Sequence, residues 1–190
     1  IHSTGLDLTT RGRDVSVIFG DGAGAVVYGP SDREDRGILA SRLHADGSGA
    51  EMLWCEKPSS AANPRIGVKD IEEGRHYGKM QGKHVFKWAV TRMPEVVREV
   101  LGDARLELKD IDLFIPHQAN LRINDAVVGQ LGLPPDRAYN NIQRYGNTTA
   151  ASIPIALDEG VRGGRVREGS LVGLAAFGAG FTWGALLVRW

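Results

Sequence analysis

The chain has 190 residues, 42% of them apolar and 24% charged, with 23 basic side chains against 23 acidic ones. This is a soluble globular composition, and a formal charge of zero gives no whole-chain electrostatic case for a nucleic acid or an anionic membrane as partner. The longest apolar runs fall far short of the ~20 residues of a membrane-spanning helix, and no signal-peptide pattern directs the chain away from the cytoplasm.

Ile1-His2-Ser3-Thr4-Gly5 has no initiator methionine and reads as the middle of a larger unit. Residues 1–14 form a polar loop. Val15 to Phe19 and Ala23 to Tyr28 are apolar, β-branched runs around Gly20-Asp21-Gly22-Ala23-Gly24, and predict two strands joined by a glycine-rich turn. A dinucleotide fingerprint would need a helix after those glycines, to aim amides at a pyrophosphate. A strand and the turn Gly29-Pro30 follow instead, so the nucleotide reading is rejected.

Gly37 to His44 predicts a third strand. Residues 45–78 carry no sustained period, and a connection of that length predicts a flap over a site or subunit interface. From about Met80 to Leu101, Val85, Ala89, Met93, Val96, Val97 and Val100 recur at helical spacing despite Pro94. Gly102-Asp103 should end this helix. A strand over 111–115, a helix over about 121–132, a helix capped by Asn147 or Thr148 and running to Val161, and strands over 171–176 and 181–188 complete the order. Mixed helices and strands in this sequence predict a layered α/β domain with a mixed sheet.

Cys55 is the only cysteine, so neither an internal disulfide nor a cysteine-based metal site is expected within the chain. Its acidic neighbours Glu51 and Glu56 disfavour a reactive thiolate, so it reads as structural or incidental and not as a nucleophile.

The chemical candidates lie elsewhere. Pro116 cannot donate to a sheet ladder, so it should end its strand and leave His117 at the tip, with Asn120 capping the next helix. Asn147 stands at a helix start, and Gly178-Ala179-Gly180 forms a tight turn between strands. Taken singly, each has a plain structural reading: a hydrogen-bonded loop histidine, a helix cap, a hairpin. Together they are equipment for stabilising charge on a thioester or ketone oxygen, since a neutral histidine, an asparagine and an open backbone amide can all donate. A nucleophile is missing from the set.

Pro116-His117-Gln118-Ala119-Asn120-Leu121-Arg122-Ile123, Gly146-Asn147-Thr148-Thr149-Ala150-Ala151-Ser152 and Ala176-Phe177-Gly178-Ala179-Gly180-Phe181-Thr182-Trp183-Gly184 resemble the β-ketoacyl-acyl-carrier-protein synthase III family. Phe19 to Ala25 and Met80 to Phe86 match it too. The resemblance covers essentially the whole chain and implies a thiolase-like layered fold. It implies a decarboxylating condensation of acyl-CoA with malonyl-acyl-carrier protein, opening fatty-acid synthesis in the cytoplasm.

Carried over residue by residue, the resemblance makes His117 and Asn147 two members of a Cys-His-Asn triad. It makes the Ala179 amide part of the oxyanion hole, alanine standing where the family usually has glycine. Arg11, Gly82, Phe86, Ala119, Asn120 and Phe177 match substrate- and CoA-channel positions, and Lys87 and Arg122 match carrier-protein contacts. Val127-Val128-Gly129-Gln130 lacks lysines that some members carry there. Coenzyme A and phosphopantetheine thioesters are implied as substrates, with no resident cofactor and no metal. The family's cysteine belongs to an N-terminal half, so residues 1–190 correspond to the C-terminal half; that other half and a homodimer are the implied assembly. The alternatives are a thiolase-fold acyltransferase of secondary metabolism and a non-catalytic subunit or fragment of a synthase.

Overall fold

The structure is a computed structural model describing residues 5–190. Short α1 (Arg13–Ser16) precedes strand β1 (Gly37–Ala45). A small hairpin of β2 (Leu53–Cys55) and β3 (Gly78–Met80) brackets α2 (Val68–Glu72). Long helix α3 (Gly82–Ala104) leads to β4 (Leu113–Pro116), α4 (Leu121–Leu131), α5 (Ile142–Tyr145) and α6 (Ser152–Arg162). Strands β5 (Leu171–Gly178) and β6 (Thr182–Arg189) close the chain.

The main sheet has the order β1-β6-β5-β4, with β4 parallel to β5 and the other pairs antiparallel. All four residues of β4 are buried, which explains a continuous apolar run in place of an alternating one: helices cover both of its faces. On one face Phe114 joins the stripe Val85, Ala89, Met93, Val96, Val97 and Val100 of α3 and Ile123, Val127 and Leu131 of α4. On the other, Leu113 and Ile115 pack with Val172, Val166 and Ala156 of α6. This two-sided packing anchors the tip of β4. The helix α3 runs through Pro94 and past Gly102-Asp103 to a left-handed cap at Arg105.

The first two predicted strands do not form. Residues 13–16 are helical, Phe19 makes a single bridge to Asn147, and residues 20–30 have no regular structure. A strand needs a neighbouring ladder for its backbone groups, and among the described residues these runs meet none. Val17, Val26, Val27 and Tyr28 stay exposed. Segment 45–78 is more ordered than its composition suggests, because it supplies the β2–β3 hairpin. The sequence reading also passed over α5, whose four residues are too few for a visible period. No helix among the described residues is long and apolar enough to cross a membrane.

Candidate active site

Strand β4 delivers His117. Pro116 pairs in register with Ala175 of β5, and the His117 amide continues the ladder by donating to the Ala175 carbonyl at 2.8 Å. Asn120 then caps α4, its side chain accepting from the Arg122 amide at 2.9 Å. His117 is therefore held between a buried strand and a capped helix, and the proline ends the strand as its chemistry requires.

The imidazole Nδ1 lies 2.6 Å from Oγ of Ser152, the first residue of α6. That hydroxyl also accepts from the Gln118 amide at 3.2 Å. Where the Ser152 hydroxyl donates to Nδ1, the ring carries its own proton on Nε2. Burial pushes the His117 pKa down to about 4, because a cation loses its hydration there. The ring is thus a neutral donor at ordinary pH.

Asn147 reaches the same cleft from the other side. Its amide donates to the Ile18 carbonyl and its carbonyl accepts from Gly20, each at 3.0 Å. Its side-chain oxygen accepts from the Thr149 amide at 2.8 Å. The oxygen is turned back on the loop, so among the described residues the NH2 group is the free end of the carboxamide. Thr149 itself has φ of +48°, a left-handed conformation costly for a β-branched residue. Strain beside Asn147 accompanies the contact that orients it.

The β5–β6 turn contributes Ala179. Its carbonyl is taken by the Thr182 hydroxyl at 2.9 Å, and residues 46 and 181 exchange backbone hydrogen bonds of 2.8 and 2.7 Å that clamp the turn. Ala179 is not among the described non-glycine residues with positive φ, so alanine sits there without strain. Gly180 has φ of +136°, and a Cβ there would lie 2.8 Å from the Thr182 methyl.

His117, Asn147 and Ala179 all line one cleft of about 1830 Å³, together with Gly82, Phe86, Ala119, Asn120, Arg122 and Phe177. The guanidinium of Arg122 lies 6.0 Å from the centre of the Phe86 ring. Two expected residues are not among the lining: Arg11 and Lys87 are both exposed outside it. Lys83, one turn before Lys87 on α3, lines the cleft instead. Sequence reasoning missed Lys83, and it named Ser152 only within a motif, with no chemical role of its own. The signal for Ser152 was its place in the run Gly146 to Ser152. Cys55 is exposed on β2, its Sγ 2.9 Å from the Lys57 carbonyl.

The arrangement offers two oriented neutral donors on a largely apolar cleft wall, which suits stabilisation of an oxyanion or enolate. Residues 101–190 match the family model described as 3-oxoacyl-[acyl-carrier-protein] synthase III C terminal. Residues 1–47 match that of 3-oxoacyl-[acyl-carrier-protein] synthase III. The β-ketoacyl-[acyl-carrier-protein] synthase III of Rhizorhabdus wittichii is 46% identical over 178 residues, covering 94% of this chain and 53% of that protein. The crystal structure of the Aquifex aeolicus 3-oxoacyl-[acyl-carrier-protein] synthase III superposes with a TM-score of 0.85 at 42% identity, over 99% of this chain and 55% of that one. The priming β-ketosynthase of the R1128 polyketide pathway gives a TM-score of 0.72 at 37% identity, over 85% and 46% of the two chains. The chain spans about half the length of the curated relatives it matches. The two models, matched in chain order, and a likeness running through all three motifs assign the chain to the β-ketoacyl-acyl-carrier-protein synthase III family of thiolase-fold condensing enzymes.

Proposed function

We propose that this chain supplies the His/Asn half of a decarboxylating condensing site, acting on acyl-CoA and malonyl-acyl-carrier protein in the cytoplasm. The observation that carries the reading is the paired orientation of His117 and Asn147. In this reading the Ser152 hydroxyl, 2.6 Å from Nδ1, donates to it and the ring keeps its proton on Nε2. The Asn147 oxygen is held by the Thr149 amide, and its NH2 group is the donor. Both donate to the malonyl thioester oxygen. The bond to the carboxylate breaks, carbon dioxide leaves, and its electron pair becomes an enolate that the two donors stabilise. The enolate carbon attacks the acyl thioester on the cysteine, and the carbon–sulfur bond breaks with release of thiolate. The Ala179 amide serves the oxyanion of that second step. No proton need pass through His117, in keeping with its depressed pKa.

Gly82, Phe86, Ala119, Asn120 and Phe177 take the pantetheine arm of CoA or carrier protein in this reading, and Arg11 takes the outer part of CoA. Arg122 and Lys87 meet the acidic carrier, with Lys83 beside them. The thioesters are substrates, and neither a resident cofactor nor a metal is needed. The cysteine belongs to the protein's own N-terminal half, and the complete enzyme is a homodimer. Support for a covering half comes from the exposed apolar side chains Val27 and Leu43 and the half-length match to relatives.

In the complete enzyme, His117→Ala and Asn147→Ala are each expected to lower malonyl decarboxylation about 10²–10³-fold, as loss of an oxyanion donor does elsewhere. Acyl transfer to the cysteine should largely persist. Unchanged decarboxylation sinks the assignment. A second reading, a priming synthase of secondary metabolism, draws on the likeness to the R1128 enzyme; it keeps the same chemistry and differs in the acyl starter accepted, which a panel of acyl-CoAs reads directly.

A further inference from the structure

Between His117 and Asn147 lies a residue that the chemistry above leaves unused. Gln118 directly follows His117 in the chain, yet only 1% of its surface is exposed. It therefore cannot contact a carrier protein or thioester, although Ala119, Asn120 and Arg122 just beyond it line the cleft. Its side chain is turned into the protein, and all four of its hydrogen-bonding positions are used.

The Nε2 group donates to the Pro116 carbonyl at 2.8 Å and to the Tyr139 carbonyl at 3.1 Å. The Oε1 atom accepts from the amides of Asn141 and Ile142 at 3.0 and 3.3 Å. One carboxamide thus ties the tip of β4 to the start of α5. From there the path to Asn147 is short: the Ile142 carbonyl accepts from the Gly146 amide at 2.8 Å, and Asn147 is the next residue. On its far side the same segment is gripped by Glu159 of α6, whose carboxylate accepts from Asn141 Nδ2 at 2.8 Å, Arg144 at 2.6 Å and the Tyr145 hydroxyl at 2.5 Å. The segment 139–145 cannot move relative to His117 without breaking the Gln118 bonds first.

We infer that Gln118 is a positioning residue: its buried carboxamide sets where Asn147 stands relative to His117, so that both donors meet one thioester oxygen. The inference rests on the function proposed above. A donor displaced by about 1 Å can cost on the order of 10²-fold in rate, whereas binding of the thioester's distant parts is untouched. The loss therefore falls on kcat.

The test uses the complete enzyme and separates the two half-reactions. Gln118→Asn keeps the amide but shortens its reach, and Gln118→Glu keeps an acceptor while setting a second oxygen against the Pro116 and Tyr139 carbonyls. Both are expected to lower kcat for malonyl decarboxylation by about tenfold or more, with KM and acyl transfer to cysteine within about twofold of wild type. Because Gln118 acts through Asn147, N147A and the Q118N/N147A pair should decarboxylate at the same residual rate. Unchanged decarboxylation, additive losses in the pair, or equal loss of both half-reactions, including by failure to fold, overturns the positioning role. Parallel H117A measurements keep the two readings apart. If H117A retains decarboxylation, the site assignment fails and takes this inference with it; if H117A abolishes it and Q118N does not lower it, only the role of Gln118 fails.

Discussion

In the proposed reaction His117 acts as a donor that does not titrate. Burial lowers its pKa to about 4, and in the same reading the Ser152 hydroxyl donates to Nδ1 and leaves the proton on Nε2. The consequence for stability has a definite sign. The unfolded chain takes up a proton at this residue near the ordinary pKa of 6.5, and the folded chain does so only near 4. Between those values the unfolded state binds more protons, so stability falls as pH is lowered through that window. The contribution at stake is at most about 3–4 kcal/mol, from ~1.4 kcal/mol per pKa unit. Folded protein followed by NMR should show a His117 imidazole titrating near pH 4. A midpoint above 6 would contradict a neutral donor. That a histidine stood at a strand tip was legible in the sequence, because Pro116 announces the end of a ladder. Its tautomer was not, since Ser152 lies 35 residues away and only the packing of α6 brings it to the ring.

At the scale of elements, the site depends on three junctions: the end of β4, the loop before α6 and the β5–β6 turn. Two of the three were read correctly from local chemistry, proline at one and glycines at another. The sequence reading names Asn147 as a donor and as the cap of the next helix; the helix α6 starts only at Ser152, and Asn147 instead folds its side chain onto the Thr149 amide and its backbone onto residues 18 and 20. The β5–β6 turn gives a contrast that tests how the Ala179 amide, the proposed oxyanion donor, is held. Gly180 has φ of +136°, and any Cβ would crowd Thr182; Gly180→Ala should destabilise the protein by more than ~1 kcal/mol and reduce acyl transfer by displacing the Ala179 amide. Ala179→Gly, at a position without positive φ, should keep acyl transfer and cost only about 0.4–1 kcal/mol through the freer unfolded chain. Denaturant melts and an acyl-transfer assay on both variants check this. Equal behaviour of the two would remove the backbone-strain argument.

On the scale of the whole molecule, one face is dressed for a partner. The runs Val15 to Phe19 and Ala23 to Tyr28 have the composition of strands but find no ladder among the described residues. Alternating, β-branched sequence records a preference for sheet, and it cannot say on which chain segment the neighbouring strand lies. This is why the sequence reading failed there while succeeding for β4, β5 and β6, whose partners are all present. The outer edge of β1 is likewise unpaired by any described strand, with Leu43 86% exposed upon it, and Val27 is 95% exposed. An unpaired sheet edge that carries exposed large apolar side chains is the kind of surface that a partner covers.

If the protein's N-terminal half covers that face, a charge placed on it should break assembly without harming the chain itself. Leu43→Asp changes a side chain that makes little contact within the chain, so its own stability should move by no more than about 0.5 kcal/mol. Burial of the same carboxylate against an apolar partner surface would leave a charge without compensation, at a cost of several kcal/mol. Co-expressed with the cysteine-bearing half, the unaltered chain should co-purify with it, and the complex, not the isolated chain, should take a mass adduct from acyl-CoA on the partner's cysteine. L43D should lose both the complex and the adduct while keeping the thermal midpoint of the isolated chain. An L43D chain that still assembles would show that this face is covered by something else, a second copy of the chain being the next occupant to examine by its sedimentation.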